Sequence, residues 1–467
     1  MSRLTAKGIN FDYSQKDGRL LRDICLSIES GQRIAIGGRN GSGKTTLSLI
    51  LAGILKPMSG SVEIDGASPW QDGSRLSFRR RVGYVFQNPE DSFVASSVLR
   101  EVAFGAENFG DDREKIARKV QDILEYFELA NFSQSSPLEL SGGMKARLAI
   151  ASVMATGADF IILDEPETFL DARGKKILLD ALDKVTSDEL GRGAVVHITQ
   201  FWDMAKRCDD VFLLENGSLR RADEDDFLMR IPEIKFEDTA FADVVLAVEC
   251  ISFGYGDEPV LRDVSLEIRA GEVLGLVGAS SSGKTTLALL CAGILTPKSG
   301  RIFRKGKVCV TLQFPERQLF AETVIDDVMY GPRNLKLKNA EGIARSALKS
   351  VELPANLWGK SPFALSDGQQ RRAGIAGIIA TKPDVLILDE PFASLDYNGI
   401  TTLFSLIEEM SRNGAAVMVI THRTDLLAHL TRRTIALMNG SIKYDGETLA
   451  LLRDKELCET LGIEAYF

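Results

Sequence analysis

The 467-residue chain lacks the features that mark a membrane-spanning, secreted or nucleic-acid-coating protein. No apolar run approaches the roughly 18 residues that a bilayer-crossing helix needs. The opening MSRLTAKGIN does not have the basic-then-apolar order of a secretory leader, so none is expected. Six cysteines (Cys25, Cys208, Cys250, Cys291, Cys309 and Cys458) are scattered, without metal-ligand spacing. Buried, reduced thiols are expected of them. A formal net charge of −9 argues against a basic, nucleic-acid-binding surface. What is left, 45% hydrophobic and 26% charged, is ordinary for a globular protein with room for two or three cores.

The chain repeats itself. GRNGSGKTT (38–46) returns as GASSSGKTT (278–286), with Lys44 and Lys284 240 residues apart. FIILDEP returns as VLILDEP, but Asp164 and Asp389 are only 225 apart. Most of the loss lies between Gly60 and Gln87, 27 positions that shrink to 13 between Gly300 and Gln313. There the first copy reads as strand, loop and strand, and the second has room for a tight hairpin. Each copy begins with strand-like alternation, a glycine turn and an apolar helix, the order of an α/β nucleotide domain. Polar, helix-rich stretches follow over 91–139 and 317–364. The expected organisation is a first domain over 1–228, an acidic connector over 229–243 and a second domain over 244–467.

The motifs carry chemistry. Gly38, Gly41 and Gly43 let backbone N–H groups turn inward around phosphate oxygens at a helix N-terminus. Asn40 and Thr46 belong to the same loop, as do Gly278, Ser280, Ser282, Gly283 and Thr286 in the second copy. Lys44 and Lys284 are placed to neutralise β/γ-phosphates, and Thr45 and Thr285 to offer hydroxyls to Mg²⁺. Ser281 stands where the first copy has Gly41; a left-handed backbone there would cost on the order of 1 kcal/mol. Asp164-Glu165 and Asp389-Glu390 end apolar strands, which delivers them to the phosphate rim. The aspartates suit a water-mediated hold on Mg²⁺, and the glutamates suit polarising an attacking water. Ser141 and Ser366, each 23 residues before its aspartate, begin helices of small residues. They are natural N-caps, and at that distance from an Asp-Glu pair they are also candidates for touching nucleotide.

Taken together, the phosphate loops, Gln87 and Gln313, LSGGM and LSDGQ, the LDEP strands, Leu170-Asp171 and Leu395-Asp396, and ITQ and ITH resemble the ATP-binding-cassette ATPases twice over. QNPEDSF, QFPERQLFAETVIDDVMYGPRNL and the tail ETLALLRDKELCETLGIEAYF are more narrowly similar to the ATPase subunits of energy-coupling-factor importers, which take up vitamins and transition-metal ions. The resemblance implies two tandem P-loop domains, each a RecA-like α/β core with an antiparallel β subdomain and a helical subdomain. It implies ATP and Mg²⁺ as cofactors, Gln87 and Gln313 near the metal, and Tyr13 and Tyr255 stacked on adenine. It also implies a head-to-tail pair, in which the signature of each half roofs the nucleotide of the other.

Under that rule one site joins Lys44, Gln87, Asp164, Glu165 and Gln200 with Ser366, Asp367 and Gly368. The other joins Lys284, Gln313, Asp389, Glu390 and His422 with Ser141, Gly142 and Gly143. Both departures from the family pattern, Asp367 for glycine and Gln200 for histidine, then meet at one nucleotide. A carboxylate about 4 Å from a phosphate charge is opposed by roughly 4 kcal/mol at an effective dielectric near 20. Gln200 can bond a phosphate but cannot take a proton as His422 can. The expectation is one holding site and one hydrolytic site. The expected partners are a transmembrane energy-coupling subunit and a substrate-binding membrane subunit, with no nucleic acid. The expected place is the cytoplasmic face of the cell membrane, as a peripheral protein. The alternatives are the fused ATPase of a sugar importer and a soluble cassette protein acting on ribosomes or DNA. The latter commonly carries a long helical linker, a basic tail or metal-binding cysteines, none of which is legible here.

Overall fold

A computed structural model describes residues 2–13, 20–110, 112–187, 193–227, 243–256, 258–311, 318–393 and 395–466, excluding the side chains of Phe169 and Asp367. The chain divides into two compact units, Met1–Met229 and Arg230–Phe467. Of the expected connector, all but Asp243 lies outside the described residues, as does Gln313.

In the first unit a six-stranded sheet runs in the order Val82–Val85, Phe160–Asp164, Ala194–Ile198, Arg33–Gly37, Asp210–Glu215, Ser218–Arg221. All neighbours are parallel except the last pair. Strands covered on both faces read as continuous apolar runs. RIAIG, FIILD and AVVHI are buried at every position, as that rule requires. A three-stranded antiparallel sheet, Leu21–Glu29, Arg3–Phe11 and Ser59–Ile64, packs over the helix Lys44–Leu51. Leu4, Ile9, Ile34, Leu47, Phe78 and Phe160 share this core.

A second core belongs to the helices Val98–Asn108, Arg113–Tyr126 and Gly142–Thr156, joined by Val102, Leu124, Phe127 and Leu148. Asp112 starts the middle helix by accepting the N–H groups of Glu114 at 3.1 Å and Lys115 at 3.2 Å. These are donors that the helix itself leaves unpaired.

The second unit repeats the plan. Its six-stranded sheet runs Val308–Thr311, Val385–Asp389, Ala416–Ile420, Val273–Val277, Arg433–Met438, Ser441–Glu447. Its antiparallel sheet runs Glu258–Arg269, Val244–Tyr255, Ser299–Arg304. The short helices Thr448–Arg453 and Lys455–Leu461 close the chain. There the Tyr466 hydroxyl lies 3.2 Å from His429 Nε2.

Two local readings are corrected. The first copy has both expected strands after Gly60, Ser59–Ile64 and Val82–Val85, but the stretch between them is not all loop, because Arg75–Arg81 forms a helix pinned by the buried Phe78. One buried residue in seven leaves no periodicity to read. The second copy has no hairpin either. Ser299–Arg304 pairs with Val244–Tyr255, whereas Val308–Thr311 pairs with Val385–Asp389, so the short connection steps between two sheets.

Candidate active sites

Parallel strands bring their C-terminal ends to one rim. With Ala194–Ile198 between Phe160–Asp164 and Arg33–Gly37, the first unit sets the phosphate loop, Asp164-Glu165 and Thr199-Gln200 side by side. Gly38 has φ 145°, and a Cβ there would stand 2.6 Å from the Leu214 carbonyl oxygen. Only glycine fits. At Gly41, φ is 77° with open space around the missing Cβ, while Ser281 adopts φ 63° in the second loop. The left-handed backbone is therefore present, and serine pays its conformational cost. Glu165 and Glu390 are themselves left-handed, at φ 49° and 48°.

In the first unit Lys44 Nζ donates to the Gly38 carbonyl at 2.7 Å and lies 3.4 Å from Glu165 Oε1. Gln200 Nε2 reaches Glu165 Oε1 at 2.9 Å, Oε2 at 3.1 Å and Asn40 Oδ1 at 3.1 Å. Gln87 Nε2 donates to Glu165 Oε2 at 3.3 Å. The Tyr84 hydroxyl donates to Asp164 Oδ2 at 3.2 Å, and Thr45 lies near enough to act on the same carboxyl. Tyr13, 69% exposed, stands edge-on to Phe11 with its hydroxyl 3.2 Å from Thr46 Oγ1. Amide donors thus hold both oxygens of Glu165.

The second unit is wired differently. Thr285 Oγ1 donates to Asp389 Oδ2 at 2.6 Å, and Lys284 Nζ donates to the Gly278 carbonyl at 2.8 Å. Glu390 Oε2 accepts from Thr421 Oγ1 at 3.1 Å and from the His422 backbone N–H at 3.4 Å. His422 Nε2 stands 3.5 Å from Glu390 Oε1. Tyr255 is exposed and edge-on to Phe253, matching Tyr13.

Burial pushes the Glu390 carboxyl up to about 7, helped by the Asp389 charge and opposed by Lys284, His422 and Thr421. Burial likewise raises Asp389, against Thr285 and Lys284. In the first unit burial and the Glu165 charge push Asp164 up to about 6, against Thr45, Tyr84 and Lys44. Among the described residues, the buried Ser42 Oγ, Asp164 Oδ1, Ser282 Oγ and Glu390 Oε1 have no hydrogen-bond partner. Leaving such atoms unmatched costs about 1–3 kcal/mol each. Two hydroxyls in glycine loops beside two lysines fit a polyphosphate. A carboxylate oxygen beside a threonine hydroxyl fits a hard divalent cation.

Not every expected residue joins these clusters. Ser141 caps the helix Gly142–Thr156 through the Met144 N–H at 3.4 Å, with Gly142 and Gly143 in its first turn. Ser366 begins Asp367–Ile379, and its own N–H donates to Gln369 Oε1 at 3.2 Å. Asn40 is drawn in through Gln200; Ser280, Gly283 and Thr286 keep their places in the second loop.

Sequence reasoning overlooked several groups. Arg371, buried in the second signature helix, donates to the Glu390 carbonyl at 2.7 Å, where the first unit has Ala146. His197 Nε2 lies 2.8 Å from Glu167 Oε2, both fully buried, and Thr199 donates its hydroxyl to Glu167 Oε1. The second unit has Phe392 and Val419 at those places, also buried. Glu101 and Asp327 pin the loops after the two glutamines through backbone N–H groups. The paired phrases EVAFG and DVMYG were the available signal.

Comparison with known proteins agrees with the repeat. A family described as "ABC transporter" matches residues 21–168 and 261–393. A protein of Bifidobacterium longum, named as an ABC transporter ATP-binding protein, is 31% identical over 92% of this chain. The match spans only 64% of that relative. A protein of Caldanaerobacter subterraneus with the same description is 28% identical over 99% of this chain and 94% of its own. Among solved structures, a model of ribosome-bound archaeal Pelota and ABCE1 matches with a TM-score of 0.72 at 20% identity. It covers 95% of this chain and 79% of that one, a likeness of fold alone.

Proposed function

The chain belongs to the ABC transporter ATPase family, whose members hydrolyse ATP, and from that premise we propose that it is the energy-coupling ATPase of a membrane importer. The importer is of the energy-coupling-factor type, taking up a vitamin or a transition-metal ion. No helix among the described residues is long and apolar enough to cross a membrane, so translocation would rest on other subunits. The observation that carries this reading is an exposed aromatic pair that follows the second glutamine in sequence. Phe320, on the loop pinned by Asp327, and Tyr330, on the helix Val324–Asn334, are 59% and 53% exposed and meet edge to face at 4.8 Å. A rigid apolar platform of this kind suits a helix of a membrane partner. The phrases QFPERQLF and GPRNL support the vitamin/metal class over sugars.

Within the ATPase, the second half hydrolyses and the first mainly holds nucleotide. The second half offers an aimed carboxylate, Glu390, with His422 beside it. Lys284 and Ser282 would bind phosphate, and Thr285 with Asp389 would hold Mg²⁺, which neutralises phosphate charge when bound. In the first half Gln200 replaces the histidine and grips Glu165. The family's head-to-tail pairing would add Asp367 to that same nucleotide.

Affinity purification from detergent-solubilised membranes of the native cell tests the importer reading. Co-purification of a multi-spanning coupling protein and a small substrate-binding membrane protein supports it. Recovery of no membrane protein, with co-sedimentation on ribosomes, overturns it.

A further inference from the structure

We propose that Glu167 is a positioning residue that disarms the first half by drawing the Thr199 hydroxyl away from Glu165. This rests on the unequal-sites reading and names a cause for it inside the first unit. Thr199 and Thr421 hold the same place after their strands, one residue before Gln200 and His422. In the second unit the Thr421 hydroxyl donates to Glu390 Oε2 at 3.1 Å. A threonine hydroxyl has one proton to give. In the first unit that proton goes to Glu167 Oε1, and the other oxygen of Glu167 takes His197 Nε2 at 2.8 Å.

The arrangement is a matched pair of departures. Glu167 and His197 are buried where the second unit places Phe392 and Val419, also buried. Burial pushes the Glu167 carboxyl up, but the His197 charge and hydrogen bond, with Thr199, bring it below the ordinary value. It stays an acceptor. A buried carboxylate and imidazole each leave a costly orphan if the other is lost, so the pair holds together. What the pair removes is the donor on the strand side of Glu165. That side chain is then held by Gln200, Gln87 and Lys44 alone among the described residues. Both of its oxygens are engaged by those donors. Glu390, anchored through Oε2, keeps Oε1 without a hydrogen bond among the described residues, facing His422.

The test grafts the second half onto the first in full-length protein whose second half is silenced by Glu390→Gln. Turnover of Mg·ATP is measured for Gln200→His alone and for Gln200→His with Glu167→Phe and His197→Val. The combined variant is expected to raise kcat roughly three- to tenfold over Gln200→His alone, with KM for ATP unchanged. Equal kcat values in the two proteins overturn the proposal. Should the graft fail to fold, Thr421→Val in a Glu165→Gln protein provides the complementary reading. A drop in kcat of similar size at constant KM supports the role of the hydroxyl, and an unchanged kcat overturns it. Failure of the unequal-sites reading looks different: the Glu390→Gln parent would then already turn over ATP at close to the wild-type rate, whatever the grafts do.

Discussion

Asp327 Oδ2 accepts the backbone N–H of Phe320 at 2.7 Å, so a carboxylate one turn into the helix Val324–Asn334 fixes the backbone just before that helix. The same oxygen takes the Ala321 N–H at 2.8 Å, and Glu101 does likewise for Val94 and Ala95 at 3.0 and 2.7 Å. The two copies keep this clamp with carboxylates of different length. Asp327→Ala is expected to destabilise the second unit by about 2 kcal/mol, the scale of hydrogen bonds to a charged acceptor. Denaturant unfolding read on that unit checks it, with Glu101→Ala as the counterpart in the first.

Glutamate-to-glutamine exchange separates the two halves. Glu390→Gln is expected to lower ATP turnover at least about a hundredfold, the scale of a lost general base. Glu165→Gln is expected to lower it less than about twofold. Steady-state phosphate release from the two purified variants decides. The opposite ranking would reverse the assignment of the halves.

The raised Glu390 carboxyl gives a pH signature. Only the ionised form can polarise water, so kcat/KM of a Glu165→Gln protein should rise with pH through a midpoint near 7. Stability carries the opposite sign. Between the ordinary value of 4.5 and about 7, the folded protein holds a proton that the unfolded chain has released. Stability therefore falls as pH rises across that window, and the penalty persists above it. Glu390→Gln should accordingly stabilise the nucleotide-free protein at pH 8 by up to about 3 kcal/mol and have no such effect below pH 4.5. Chemical denaturation at the two pH values measures the difference.

The phosphate loops make a steric prediction. Gly41→Ser, copying the second loop, meets open space and should cost only about 1 kcal/mol of backbone strain. Gly38→Ala drives a Cβ to 2.6 Å from the Leu214 carbonyl oxygen and should cost more than about 3 kcal/mol, with nucleotide binding lost. Thermal melts with and without ATP distinguish the two.

Much of this protein could be read from its letters because the relevant physics is local. A glycine-rich turn after an apolar strand, a carboxylate pair closing another, and serines opening small-residue helices each depend on a few adjacent residues. Their recurrence located both cores and most of the side chains that gather at the two strand-end rims. The helix Arg75–Arg81 escaped because one buried phenylalanine carries no period. The clamps from Glu101 and Asp327 escaped because a carboxylate in a helical phrase does not say which backbone it will meet.

The contrast between Thr199 and Thr421 was the least legible of all. Both threonines stand in the same short phrase, and the letters treat them alike. Which acceptor each finds depends on a residue 31 or 32 positions earlier, brought alongside when parallel strands line up their ends. Hydrogen bonds select partners by ångströms and angles, and only the folded sheet sets those between distant segments. Chain order thus wrote two nearly equivalent sets of motifs, and packing across each sheet gave Glu165 and Glu390 different hydrogen-bond partners among the described residues.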